Sequence, residues 1–196
     1  MFKSVIFFAL LFGAPFSMAN ESSDELIDWE GPIAETFELP VGEGKGTGYY
    51  VMRGAFDKLP GESWNGNGGG DTDLGNPVAS IGKGVVIFAE DSKSTWGNMV
   101  IIRHAYRDAD NKLVLIDSIY AHLFEIFTRK GEEVLLGEKI GAIGKSGKGE
   151  RSAMLYFAIK KDVFNPVDES DPESWRDHYH APRAFIEGFT QTSPDR

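Results

Sequence analysis

Between residues 77 and 160 the chain is a succession of short apolar runs with glycines standing between them, and no stretch sustains a helical period. Residues 84–89, 98–104, 113–120, 139–143 and 153–160 each have the length of a strand and are rich in β-branched and aromatic side chains. The 23 glycines supply the turns that such short elements need. This pattern predicts antiparallel strands joined by tight turns, and it argues against a helical bundle.

Further strands are expected at 49–52 and 77–81, with a short extended piece and a turn at Lys130-Gly131 inside 124–134. Residues 42–48 and 59–75 read as loops because of their glycine content. The one expected helix is 182–188, with Pro182 in its first turn and Gly188 after its last. The body, residues 37–163, is therefore read as one all-β domain. Residues 164–196 form a tail that begins polar and acidic and is expected to wrap back over the body.

The first residues read as an export signal. Lys3 precedes a mostly apolar run from Val5 to Phe16, too short for a good membrane span, and Ser17-Met18-Ala19 supplies small residues for cleavage after Ala19. Residues 20–36 then read as a linker. The expected location is outside the cytoplasm, secreted and most plausibly periplasmic, with no membrane attachment after cleavage. The chain has no cysteine, so disulfide and thiol chemistry are excluded. Its net charge of −10 becomes more negative by one unit when Lys3 is removed. Such a chain is a poor partner for nucleic-acid phosphates and anionic membranes.

Tyr120-Ala121-His122-Leu123 places an imidazole at the end of an apolar strand. A histidine there serves either as a satisfied core group or as a base, proton donor or metal ligand. Neighbouring motifs bear on the choice. In order they are Gly75-Asn76-Pro77-Val78-Ala79, Gly84-Val85-Val86, Trp96-Gly97-Asn98, the His122 segment, Gly131 to Val134, Gly137 to Gly141, Gly144-Lys145-Ser146-Gly147 and Leu155-Tyr156-Phe157. As an ordered set they resemble the catalytic domain of the LytM/lysostaphin-type zinc metallopeptidases, which cleave peptidoglycan peptides. The resemblance covers about residues 37–160. It implies an antiparallel β-sandwich of the LytM, duplicated hybrid-motif type, with the short helical tail appended.

The resemblance also implies a zinc site made by a His-x-x-x-Asp pair and the second histidine of a His-x-His. Three such ligands leave a fourth position for an activated water. Trp64-Asn65-Gly66 and the glycine-rich run to Gly75 fix the register. The His-x-x-x-Asp positions then fall on Leu59 and Ser63, and the His-x-His positions on Met154 and Tyr156. His122 occupies a retained catalytic position. Leu59 and Met154 offer zinc no suitable donor, and the hydroxyls of Ser63 and Tyr156 are poor ones. No catalytic zinc is expected.

The sequence offers three other metal readings: Asn67 with Asp71 as a shifted pair, His178-Tyr179-His180 as a His-x-His outside its usual strand, and an oxygen site from Asn65, Asn67, Asp71 and Asp73. A tail-packing pair and a structural glycine loop are the simpler accounts of the last two. Trp64, Trp96 and Tyr156 either line the groove where substrate would lie or pack as ordinary core aromatics, and His104 is either structural or a further groove residue. The function implied is a catalytically inactive peptidase-like module in cell-wall remodelling, with peptidoglycan or a cell-wall hydrolase as partner and amidase activation as one form. The alternative is an active endopeptidase with a non-standard zinc site drawn from His122, Asp71 and a tail histidine. A phosphoryl-carrier or lipoyl-like domain shares the glycine turns but not the export signal.

Overall fold

The structure, a computed structural model, describes residues 29–149, 152–161, 163–164 and 171–192. The export signal and most of the linker lie outside the described residues. The described residues form eleven strands: β1 (Tyr49–Arg53), β2 (Glu62–Gly66), β3 (Pro77–Ala79), β4 (Gly84–Asp91), β5 (Asn98–Arg107), β6 (Leu113–Leu123), β7 (Glu125–Ile126), β8 (Glu133–Val134), β9 (Lys139–Ala142), β10 (Leu155–Lys160) and β11 (Tyr179–His180). Two helices follow β10: α1 (Trp175–His178) and α2 (Pro182–Thr192). Among the described residues no helix is long and apolar enough to cross a membrane.

The main sheet runs β1-β2-β10-β6-β5-β4-β8, all antiparallel, with β11 paired to β10. The small sheet runs β3-β9-β7. Side chains alternate across a strand, so each strand of the main sheet serves two faces. Leu155, Phe157 and Ile159 of β10, Tyr120 of β6, and Val100 and Ile102 of β5 share one core with Val78 of β3 and Ile140 of β9. The small sheet thus covers one face of the main sheet, which is the expected sandwich. Phe37 and α2 close that core at one end. Phe37 packs edge-on against Tyr106 and Phe189 at 5.8 and 4.8 Å. The opposite face carries Ala121, Tyr156 and Ala158, with Trp96, Met99 and Ile119 beside them.

Three expectations about local structure need correction. Residues 62–66, read as loop, form β2, whose residues are all buried. A strand between β1 and β10, covered on both faces, shows no polar–apolar alternation to reveal it. The ordered chain also begins before residue 37. Ile33 bridges Ala105, Ala34 N–H donates to the Ala105 carbonyl at 2.7 Å, and Ala34 is buried. Pairing of β4 with β5 stops at Arg103, which leaves the edge at Ala105 for this segment. Finally, α2 runs through Gly188 instead of stopping before it.

Candidate functional site

The groove face is built where β2, β10 and β6 lie side by side. Tyr156 is the cross-strand partner of Ser63 on one side and of Ala121 on the other. Leu59 packs against the cluster that Tyr156 belongs to. The chain reaches it from Gly61, whose N–H donates to Tyr156 Oη at 3.1 Å. A Cβ on Gly61 would stand 2.4 Å from the Phe157 carbonyl oxygen, so only glycine lets the chain lie this close to β10. Met154 precedes the strand and bridges Gly144, its N–H donating to that carbonyl at 2.9 Å. Leu59, Ser63 and Tyr156, taken from two motifs 95 residues apart, are therefore brought together.

His122 closes the other side. Its backbone is left-handed, with φ 63°, an unusual conformation for a residue with a side chain. Local bonds hold it there. His122 N–H donates to the Trp96 carbonyl at 3.0 Å, and Ser146 N–H reaches the His122 carbonyl at 3.4 Å. The ring Nδ1 lies 3.0 Å from the Ser146 carbonyl oxygen, and a carbonyl only accepts, so Nδ1 carries the proton. Ser146 Oγ in turn accepts from Asn98 N–H at 2.9 Å. Gly97 and Gly147 let these two turns interlock: a Cβ on Gly97 would sit 2.4 Å from Gly147 N. The Trp96-Gly97-Asn98 and Gly144 to Gly147 motifs are thus the two halves of one clasp around His122.

Rings fill the space that the retained backbone encloses. Trp96 stacks on Tyr156 with centroids 4.5 Å apart and planes at 34°, and lies 5.8 Å from the His122 ring. Trp96, Met99, Ile101, Ile119, Tyr156 and Tyr179 line a pocket of about 160 Å³. None of these six side chains carries a charge at neutral pH. The pocket is suited to holding an apolar or aromatic group, and its walls supply no general base.

The donor set does not fit zinc. A zinc site needs N, O or S donors in tetrahedral array. Leu59 has none, Ser63 offers a hydroxyl, and Tyr156 Oη is turned to Gly61 N–H. The other metal readings fare differently from one another. Asp71 is engaged by Lys145 Nζ at 2.6 Å and by Ala153 N–H at 2.8 Å, and Asn67 is exposed, so the shifted pair has no site. His180 is half-buried and packs on Phe185 at 4.7 Å beside the core, and burial pushes its pKa down to about 4. His178 belongs to α1, where its carbonyl accepts from Lys161 N–H. Both histidines serve tail packing. Among the described residues no three His, Cys, Asp or Glu side chains converge as a metal site.

Two groove expectations are corrected. Trp64 faces the core, opposite Leu155, and its Nε1–H donates to Glu62 Oε2 at 3.1 Å. His104 also faces the core. It is fully buried between the Lys83 carbonyl at 2.8 Å and Ser118 Oγ at 2.7 Å, and desolvation lowers its pKa to about 4. Strand parity decides both: His104 shares the face of Val100 and Ile102, not that of Met99 and Ile101. Trp96 does lie in the groove. Tyr179 was missed as a wall residue, since nothing in a two-residue strand distinguishes it from tail.

The two-sheet antiparallel sandwich with a short C-terminal helix is the β-rich fold of the LytM-type peptidase domains. Residues 70–169 match peptidase family M23, and the chain belongs to that family. It is 28% identical over 150 residues to the cell division protein DipM of Caulobacter vibrioides, covering 69% of this chain and 23% of that protein. It is 32% identical over 102 residues to the murein hydrolase activator NlpD of Salmonella dublin, covering 51% of this chain and 24% of that one. The chain thus corresponds to about a quarter of each of these relatives. Among solved structures, a chain of the SpoIIQ–SpoIIIAH pore-forming complex superposes with a TM-score of 0.52 at 16% identity, over 82% of this chain and all of that one, a likeness of fold alone.

Proposed function

We propose that this chain is a non-catalytic M23 domain that acts outside the cytoplasm as a binding or regulatory module in cell-wall remodelling, with a cell-wall hydrolase as its partner. One observation carries the reading: the positions that would hold zinc meet in the groove as Leu59, Ser63 and Tyr156, and Tyr156 is committed to Gly61 N–H and to stacking on Trp96. A groove so filled presents an aromatic surface and no activated water. The likeness to a protein named as a murein hydrolase activator supports the regulatory form, with an amidase as the natural candidate. Retention of His122 is then explained by the clasp, which uses its N–H, its carbonyl and its ring.

The test uses the chain without residues 1–19, isolated peptidoglycan and a panel of cell-wall amidases. Alone, the protein is expected to release no muropeptides and to retain no zinc after dialysis. With its cognate amidase it is expected to raise release several-fold, and Trp96→Ala is expected to abolish that gain. Stoichiometric zinc together with release by the protein alone would establish instead the active-endopeptidase alternative.

A further inference from the structure

The groove pocket is small for the role proposed for it. Its volume of about 160 Å³ lies below the roughly 300–1,000 Å³ of ordinary ligand pockets. Tyr156 and Tyr179 in its walls are only 3% and 4% exposed. The tail supplies the Tyr179 wall. Helix α1 ends at His178 and passes with no linking residue into extended Tyr179 of β11, so a displacement of the helix is carried to the Tyr179 ring. At four residues, α1 is too short to stand without tertiary support. What supports it therefore decides how far the pocket is closed.

Part of that support comes from the segment that leads into β2. On the edge of β10, pairing with β2 ends at Phe157 and pairing with β11 starts at Ile159, so the two pieces of chain meet on either side of Ala158. Phe56 and Leu59, ahead of β2, pack on the same cluster as Tyr179. The Arg176 guanidinium of α1 stands 4.7 Å from the centroid of the Phe56 ring, a cation–π contact. Phe56 meets it from a left-handed backbone, with φ 65°. A bulky aromatic residue in that region is an outlier, and such strain persists where neighbouring contacts over-determine it. Phe56 N–H donates to the Leu59 carbonyl at 2.9 Å, which closes the turn that presents the ring. Lys161 ties α1 to the end of β10, its N–H donating to the His178 carbonyl at 2.9 Å and its Nζ to the Arg176 carbonyl at 2.7 Å. Trp175 and Tyr179 are buried beneath this segment, whereas Arg176 lies at the surface, so its contact with Phe56 breaks without unpacking a core.

We propose that residues 175–180 form a strap that closes the groove, latched by Arg176 on Phe56, and that release of the latch lifts Tyr179 and widens the pocket for a partner. His180, packed on Phe185 of α2, is the hinge. The open form is a minor population that loss of the latch enriches. This rests on the proposed regulatory reading, since it states how that groove is opened.

The experiment compares the chain lacking residues 1–19 with its Arg176→Ala and Phe56→Leu variants by hydrogen exchange and hydroxyl-radical footprinting. Each variant is expected to quicken exchange in residues 175–180 roughly two- to fivefold, the worth of one exposed cation–π contact, with β5 and β6 unchanged. The double variant is expected to go no further than either single one, since both delete the same contact. Labelling of Tyr179 and Tyr156 should rise in parallel. Unchanged exchange at 175–180 in the folded variants would overturn the latch. Quicker exchange with both rings still protected would overturn the opening. Neither readout uses a hydrolase, so an amidase panel that never responds would sink the regulatory reading while exchange and labelling still decide the strap. With an amidase that does respond, Arg176→Ala should lower the concentration for half-maximal stimulation by the same factor, and an unchanged concentration would overturn the link between strap and groove.

Discussion

Ser63 and Tyr156 face each other as cross-strand partners on β2 and β10, although 93 residues separate them in the chain. On the proposed reading these are the aspartate and histidine positions of the family's zinc site, brought side by side by the pairing of β2 with β10.

Restoring the donors should therefore restore the metal. Leu59→His, Ser63→Asp and Tyr156→His together are expected to bind one zinc per chain, measured as metal retained after dialysis, where the unaltered protein retains none. A folded triple variant that binds no zinc would show that Leu59 does not approach Ser63 and Tyr156 closely enough to complete a site.

Tyr156→Phe removes the acceptor for Gly61 N–H and leaves the ring stack in place. An unpaired buried donor costs about 1–2 kcal/mol. Urea unfolding should show that loss as a lower midpoint with an unchanged slope. An unchanged midpoint would mean that water reaches Gly61.

Acid should destabilise the domain through His104. Its folded pKa, about 4, lies below the ordinary 6.5, so the unfolded chain takes up the proton first. The stabilisation is complete above pH 6.5 and is lost as pH falls from there through about 4. A shift of this size corresponds to about 3 kcal/mol. Urea midpoints measured between pH 7 and 4 should fall less steeply in His104→Gln than in the unaltered protein. Some acid sensitivity should persist, since His180 is displaced in the same direction by burial and by Lys161.

Glu62 and Arg183 join β2 to α2. The Glu62 carboxylate is buried, its pKa is raised by desolvation and lowered in part by Arg183, and Arg183 Nε lies 3.7 Å from Oε1. Arg183→Met leaves that charge uncompensated. Arg183 is half-exposed, so the expected cost at neutral pH is about 1–2 kcal/mol, below the range for fully buried pairs. The cost should shrink as pH falls and Glu62 takes a proton. Hydrogen exchange should quicken in α2; exchange that stays slow would show that Phe185 and Phe189 dock the helix unaided.

Much of this was legible in the residues, for identifiable reasons. Strands β4, β5, β6, β9 and β10 announce themselves because their runs are apolar and bounded by glycine or polar turns. Leu59, Ser63, Met154 and Tyr156 were placed by motif order, and the cross-strand pairing of Ser63 with Tyr156 agrees with that register. Strand β2 was hidden because Glu62, Ser63 and Asn65 are polar yet buried, with Glu62 met by Trp64 and Arg183 and the Asn65 Nδ2 by the Ala153 carbonyl. Trp64 and His104 were assigned to the wrong face because an aromatic or imidazole side chain suits either face of a strand, and only the pairing of β2 with β10 and of β5 with β6 shows which face each takes.

The edge of β10 is shared between two distant pieces of chain. Residues 155–157 pair with β2, and residues 159 and 160 pair with β11 from the tail. Tyr179 thus reaches the groove as a member of the sheet, opposite Lys160, four positions along β10 from Tyr156. Force applied at the C-terminal segment would be carried by backbone hydrogen bonds into the strand that forms the groove floor. Strain placed on β11 is thereby strain on the spacing between Tyr179 and Trp96 across the pocket.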